Sequence, residues 1–368
     1  MAPTPGAHTL GRHDLCVSKA VFKPGSMLVP HLVLCYNEFS TVQVWFLWLE
    51  MNTMKSYGIY FTEARKAEIR EFDVPDPQPW QVQVRCIANG ICMGEVTRFT
   101  GVEDPGYPCI VGHEGIGVVT KVGASIKHLQ EGDYVPSLAW TSLENRDAFN
   151  VRPFRKPPAD PAVVLTEPVA CIVSALYSYN ITPGDRVLVM GAGFMGLLNV
   201  QGLAHSPIDE LVVTDVKADN LELARKYGAT EVIQTGTADG DARLEELKQR
   251  PFDLVVECAG VESTIGIAPL LVRTGGRLSI FAWHHGFRPV DLGTCHIRGL
   301  ALLNSAPGIG TDHNVDTFER AQRLIERGVF DLNDLVTHRH SYRDVSEAMD
   351  IAARRPREYI KGVLLFDD

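Results

Sequence analysis

A chain of 368 residues, 45% hydrophobic and 22% charged, is long enough for two packed domains and ordinary in composition for a globular protein. Its formal net charge of -10 argues against binding nucleic acid, whose phosphate backbone needs a basic surface. The eight cysteines are scattered, with no C-x-x-C pair, which speaks against a disulfide framework and for reduced thiols in a cytoplasmic setting, one or two of them free to act as ligands.

The first fifty residues do not read as part of a domain. Residues 27–49 are apolar but broken by Pro30, His31, Asn37 and Glu38, too polar for a membrane helix and without the cleavage site of a signal peptide. An alternating strand pattern starts only after Met54. Residues 1–50 are therefore expected to be a disordered or non-native extension, with the domain starting at Met51 or Met54.

From Lys55 onward, residues 81–85 alternate polar and apolar as a half-buried strand does, and residues 115–122 and 132–135 read similarly. Near Glu167 the character changes. Residues 168–179 read as a helix, 186–190 and 211–214 as buried strands, and 221–227 as a helix ended by Gly228. Residues 253–258 and 276–281 are two more buried strands. Apolar runs of four to six residues separated by helices predict a parallel sheet covered on both faces. Helices at 318–327 and 345–353 and a strand at 362–366 close the chain.

Gly191-Ala192-Gly193-Phe194-Met195-Gly196 follows the strand at 186–190 and opens a helix. Glycines there let the backbone turn tightly and approach a pyrophosphate, whose charge rests on the helix N-terminus. The next strand ends in Asp215, nineteen residues past Gly196, where a carboxylate accepts from a ribose diol and repels a 2′-phosphate. The expected cofactor is NAD, held by Gly191, Gly193, Phe194, Met195, Gly196 and Asp215. Gly112-His113-Glu114 lies twenty-one residues past Cys92. Thiolate and imidazole are ligands that zinc takes, and a carboxylate can complete or tune them. Singly, Cys92 also fits a small buried residue and His113 a hydrogen-bonded core histidine.

The stretch Gly112-His113-Glu114-Gly115-Ile116-Gly117, with Gly123, Ile126, Gly132-Asp133 and Pro183-Gly184-Asp185-Arg186-Val187, resembles the zinc-containing medium-chain alcohol and polyol dehydrogenases over about residues 54–368. The resemblance implies that Cys92 and His113 bind one catalytic zinc. It also implies that Glu114 binds the metal in some states, and that Glu167, in the Glu167-Pro168 pair of the polyol branch, binds it directly or through water. Two departures stand out. Residues 136–154 hold no cysteine, so a second, structural zinc is not expected. Where the family reads Cys-Gly-Ser/Thr-Asp with a later histidine, this chain reads Cys92-Met93-Gly94-Glu95-Val96-Thr97, so the usual proton relay loses its hydroxyl and its histidine. The base is then expected to be Glu167 or Glu114, acting through water that Thr97 orients.

The expected architecture is α/β, with a β-rich GroES-like catalytic domain in two parts, 51–168 and 306–368, around a doubly wound Rossmann domain at 169–305. Its expected partners are NAD and a small alcohol or ketone, with hydride passing between them. Neither nucleic acid nor membrane is expected as a partner, and the family's dimers or tetramers are. By resemblance to the polyol branch, the missing structural lobe and the Glu-Pro pair favour polyols, sugars or cyclitols over simple alcohols. Two other readings stay open: a zinc-free quinone or enoyl reductase of the same fold, and a non-catalytic dinucleotide-binding protein. His284-His285 and His338-Arg339-His340 are expected in loops or strand ends, solvated or facing substrate, and Trp283 where cofactor contacts cluster.

Overall fold

The computed structural model describes residues 26–36, 42–137, 139–149, 151–305 and 316–366. Of the expected N-terminal extension, residues 1–25 and 37–41 lie outside them. The chain divides into two units, Met1–Met54 and Lys55–Asp368. In the first, β1 (Ser26–Tyr36) runs antiparallel to the start of β2 (Val42–Glu63), with Ser26 opposite Asn52 and Tyr36 opposite Val42. The strand expected after Met54 is thus the second half of a longer one.

The second unit has two lobes. The catalytic lobe begins with the end of β2, β3 (Lys66–Pro75), β4 (Gln81–Gly90) and the helix α1 (Met93–Thr100). It continues through β5 (Cys109–Ile110), β6 (Gly115–Val122), β7 (Tyr134–Ser137) and β8 (Leu143–Asp147). Helix α1 is absent from the sequence reading, because eight residues give too short a periodic signal. It forms because Val96 and Phe99 bury one face, Cys92 caps its start, and Gly101, with φ of 78°, ends it in the left-handed conformation.

Helix α2 (Thr166–Tyr179) leads into the second lobe. With the turn before it, this segment is long and apolar enough to cross a membrane, but 72% of it is buried inside the fold, as a core helix is. There follow β9 (Arg186–Met190), α3 (Phe194–Ala204), β10 (Glu210–Asp215), α4 (Ala218–Lys226) and β11 (Glu231–Gln234). Then come α5 (Ala238–Leu247), β12 (Phe252–Glu257), α6 (Glu262–Leu271), β13 (Val272–Ile280), α7 (Leu292–Arg298) and β14 (Ala301–Asn304). The parallel sheet has the order β11-β10-β9-β12-β13-β14, the doubly wound arrangement with its switch point between β9 and β12. Strand β9 shows why such strands read as unbroken apolar runs. Val187 and Val189 pack into the cluster that holds Ile172 and Leu197, while Leu188 and Met190 pack on the other face with Leu247 and Leu271. Each such side chain contributes about 1.5–3 kcal/mol.

The chain then returns to the catalytic lobe through α8 (Thr317–Glu326), β15 (Val336–Ser341), α9 (Val345–Arg354) and β16 (Lys361–Leu365). Its sheet runs β15-β16-β4-β6-β7, with β8 also on β4. The segment expected to lack a structural metal lobe holds β8, which pairs with β4.

Candidate active site

Strand register builds the centre. In the β4–β6 pair Asn89 lies opposite Gly115, so the residues just after β4 and just before β6 are neighbours. Cys92 caps α1 from one side, and His113 and Glu114 come from the other. The Glu114 amide donates to Asn89 Oδ1 at 3.1 Å, which fixes that turn. One ligand atom from each of Cys92, His113 and Glu114 lies within 4.8 Å of the others. A thiol, an imidazole and a carboxylate at this separation fit a zinc ion.

Around them sits a layer that the sequence reading missed. Glu95 is fully buried, and its Oε1 lies 2.8 Å from His113 Nδ1. The approach is an ion-pair contact and not a well-directed hydrogen bond, since both Glu95 oxygens lack one. The signal was present: Glu95 stands where the resembled pattern has Asp. Burial opposes a charge on His113, but Cys92, Glu95 and Glu114 outweigh it and push its pKa up to about 11. Burial, and then the charge of Glu114, push the Cys92 thiol up.

Lys361 opens β16, and Val363 opposite Gly90 brings it to the same place. Its Nζ lies 2.5 Å from Glu114 Oε2 and 4.6 Å from the Phe194 ring centroid. Burial works against its charge, but Glu114 and Cys92 hold its pKa above the usual lysine value. The sequence sign was a lone cation at the head of an apolar strand. Glu167, in the first turn of α2, is buried and accepts from Cys171 Sγ at 3.2 Å. It stands outside the group of three whose ligand atoms lie within 4.8 Å. Burial and the Glu114 charge raise its pKa to about 7, with His113 pulling the other way.

The glycine turn carries the three features a dinucleotide needs. Gly191 has φ of 101° and a Cβ there would meet the Ala259 backbone at 2.8 Å. Gly193 opens on free space, and a Cβ on Gly196 would strike Gly191 O at 1.9 Å. Gly193 caps α3 without a side-chain bond, and Phe194 and Met195 form the helix's first turn. Asp215 ends β10 beside the turn: Oδ2 accepts from Ala192 N at 2.6 Å and Oδ1 from Lys217 N at 2.7 Å. Lys217 Nζ is drawn away to Arg357 O at 3.0 Å.

The paired histidines follow β13, outside any strand or helix. Expected in loops or strand ends as solvated or substrate-facing residues, both have carboxylate partners from remote parts of the chain. His284 Nε2 lies 2.7 Å from Glu257 Oε2, and its buried Nδ1 has no partner among the described residues. His285 Nδ1 lies 3.0 Å from Glu103 Oε1. Sequence separation hid both pairs. Thr97 Oγ1 donates to Gly94 O at 2.9 Å and lies 3.5 Å from Glu103 Oε2. His338 and His340 lie within β15 with their rings stacked, 6.2 Å between centroids.

Comparison with known proteins agrees with this geometry. A family profile described as "Alcohol dehydrogenase GroES-like domain" matches residues 78–147, and one described as "Zinc-binding dehydrogenase" matches residues 195–327. A sorbitol dehydrogenase of Arabidopsis thaliana is 26% identical over 330 residues, covering 78% of this chain and 89% of that protein. An L-idonate 5-dehydrogenase of Vitis vinifera is 24% identical over 330 residues, covering 78% and 88%. Among solved structures, an Escherichia coli oxidoreductase of unknown specificity has the same fold, with a TM-score of 0.76 at 24% identity, covering 86% of this chain and all of that one. The alternative of a zinc-free reductase is not favoured. Fold, donor set and relatives agree that the chain belongs to the zinc-type medium-chain alcohol and polyol dehydrogenases, oxidoreductases that act on alcohols with zinc and NAD(P).

Proposed function

We propose that the enzyme oxidises a secondary hydroxyl of a polyol, sugar or cyclitol with NAD, using one zinc per chain held by Cys92, His113 and a carboxylate of Glu114 or Glu167. The observation that carries this reading is the meeting of Cys92, His113 and Glu114 within 4.8 Å, in one unit with a glycine turn closed by Asp215. When bound, zinc acts as a Lewis acid toward the substrate oxygen. The buried Glu95 carboxylate beside Nδ1 of His113 favours a proton there, which would leave the other ring nitrogen for the metal. Glu167, its pKa raised to about 7, takes the hydroxyl proton through water, with Thr97 orienting that water.

The names of the sorbitol and L-idonate dehydrogenases support the polyol class. Asp215 supports NAD over NADP, and Lys217, tied to Arg357 O, does little to soften its repulsion of a 2′-phosphate. The absence of cysteine from residues 136–154 supports a single zinc. Ile297, 84% exposed, and Leu292, on the helix before edge strand β14, support a homodimer or homotetramer. The scattered cysteines, with no C-x-x-C pair in the sequence, support a cytoplasmic location. Metal analysis combined with an NAD-reduction screen over polyols, cyclitols and amino alcohols tests the reading. One equivalent of zinc with activity on a polyol is expected; full activity without metal sinks it.

A further inference from the structure

We propose that Trp283, Glu103 and His285 form a subsite for the hydroxyl-bearing tail of the substrate. The enzyme then selects a polyol with a hydroxyl pair a few carbons from the reacting carbon over a simple secondary alcohol. This rests on the polyol reading above and assigns its specificity to named side chains.

The argument starts from Gly94. A Cβ there would lie 3.9 Å from Cys92 Sγ and 3.9 Å from Trp283 Cζ3. The zinc ligand and the indole therefore flank one small space, which the missing side chain leaves open. Trp283 is 63% exposed, with its ring edge across that space from Cys92. A large apolar ring in that position is available to cover the C–H face of a ligand.

Its polar neighbours complete the recess. The Trp283 ring stacks on His285 with centroids 5.2 Å apart and planes 20° apart. His285 Nδ1 lies 3.0 Å from Glu103 Oε1, and Glu103 Oε2 lies 3.5 Å from Thr97 Oγ1 on α1. Glu103 follows α1 and His285 follows β13, so the two lobes each supply one half. With Val102 and Gly286 they line a recess of about 380 Å³. Glu103 and His285 keep 29% and 31% of their side-chain surface exposed. The carboxylate can accept from further hydroxyls, and the second imidazole nitrogen can accept or donate. Glu103 already has an imidazole and a hydroxyl beside it. The recess therefore offers hydrogen-bond positions, as a diol needs, and not the bare anion that a cationic substrate needs.

The test uses the full chain with zinc and NAD. Straight-chain polyols of four to six carbons are compared with 2-butanol in wild type, Glu103→Gln and His285→Asn, and polyol binding is followed by tryptophan fluorescence against Trp283→Phe. Each polar substitution is expected to lower the ratio of kcat/KM for polyol over 2-butanol by about 10- to 100-fold, chiefly through KM. The polyol-induced fluorescence change is expected to vanish in Trp283→Phe. Unchanged ratios in both polar variants, or no fluorescence response to any polyol, overturn the subsite. If no polyol is oxidised but the fluorescence response persists and depends on Trp283, the subsite stands and the polyol-oxidation reading falls. A preference for amino alcohols that Glu103→Gln removes would mean that the recess takes a cation, and overturns the proposal.

Discussion

His113 Nδ1 and Glu95 Oε1 are 2.8 Å apart, and Glu95 is shut off from solvent. A buried carboxylate beside one ring nitrogen favours a proton on that nitrogen, which would leave the other for a metal. Glu95→Gln is expected to weaken zinc binding by about 10- to 100-fold, read by competition with a chromogenic chelator. Unchanged affinity would mean that His113 is oriented by something else.

Zinc binding should release protons. The pKa of His113 is pushed to about 11, and that of Cys92 is also raised, so both groups carry a proton at pH 7 in the metal-free protein. A metal displaces them, about two per zinc, and affinity then rises about 100-fold per pH unit near neutrality. Calorimetry in buffers of different ionisation enthalpy counts these protons. The same shift stabilises the metal-free fold below the ordinary histidine value of 6.5, and that contribution is lost as pH rises toward about 11. Chelated protein should therefore lose stability between pH 7 and pH 10, more than the zinc-loaded form does.

Cofactor choice rests on Asp215. Its two oxygens are fixed by Ala192 N and Lys217 N, which hold the carboxylate beside the glycine turn. Asp215→Gly is expected to raise the NADP-to-NAD ratio of kcat/KM by about 10-fold or more, by removing the charge that opposes a 2′-phosphate. A wild-type preference for NADP would refute the ribose reading.

Proton transfer is the role proposed for Glu167. Glu167→Gln is expected to cost about 10²-fold in kcat with zinc still bound. Gly94→Ser restores the hydroxyl of the family pattern, and its Cβ has room, 3.9 Å from the nearest atoms. Activity should change only mildly, because Thr97 stands where the partner histidine would be. If Glu167→Gln and Glu114→Gln both leave kcat intact, another base lies in the cleft.

Lys361 offsets the acids of the site. Its ammonium is buried against Glu114, and removing one member of such a pair leaves the other charge unmatched. Lys361→Met is expected to destabilise the fold by about 3–5 kcal/mol in denaturant titration. Adding Glu114→Gln should restore part of the loss. Equal stability of the single and double variants would show that the pair does not matter.

Much of this protein is legible locally. The apolar runs of β9, β10 and β12, the glycine turn at 191–196 and the acid at the end of β10 depend on neighbours a few residues away, and the sequence alone determined them. Resemblance carried Cys92 and His113 as a pair, which composition could not. Helix α1 carries too little periodicity over eight residues to show in the sequence, and α2 begins at Thr166, two residues before the expected start. What only the tertiary structure decided is which charges meet. Glu95 reaches His113 because Asn89 pairs with Gly115, and Lys361 reaches Glu114 because Val363 pairs with Gly90. Glu103 meets His285 and Glu257 meets His284 through loops and strand ends remote in sequence. Strand register and loop closure are non-local, and the pKa of a buried group follows its neighbours in space; no local pattern in the chain encodes either.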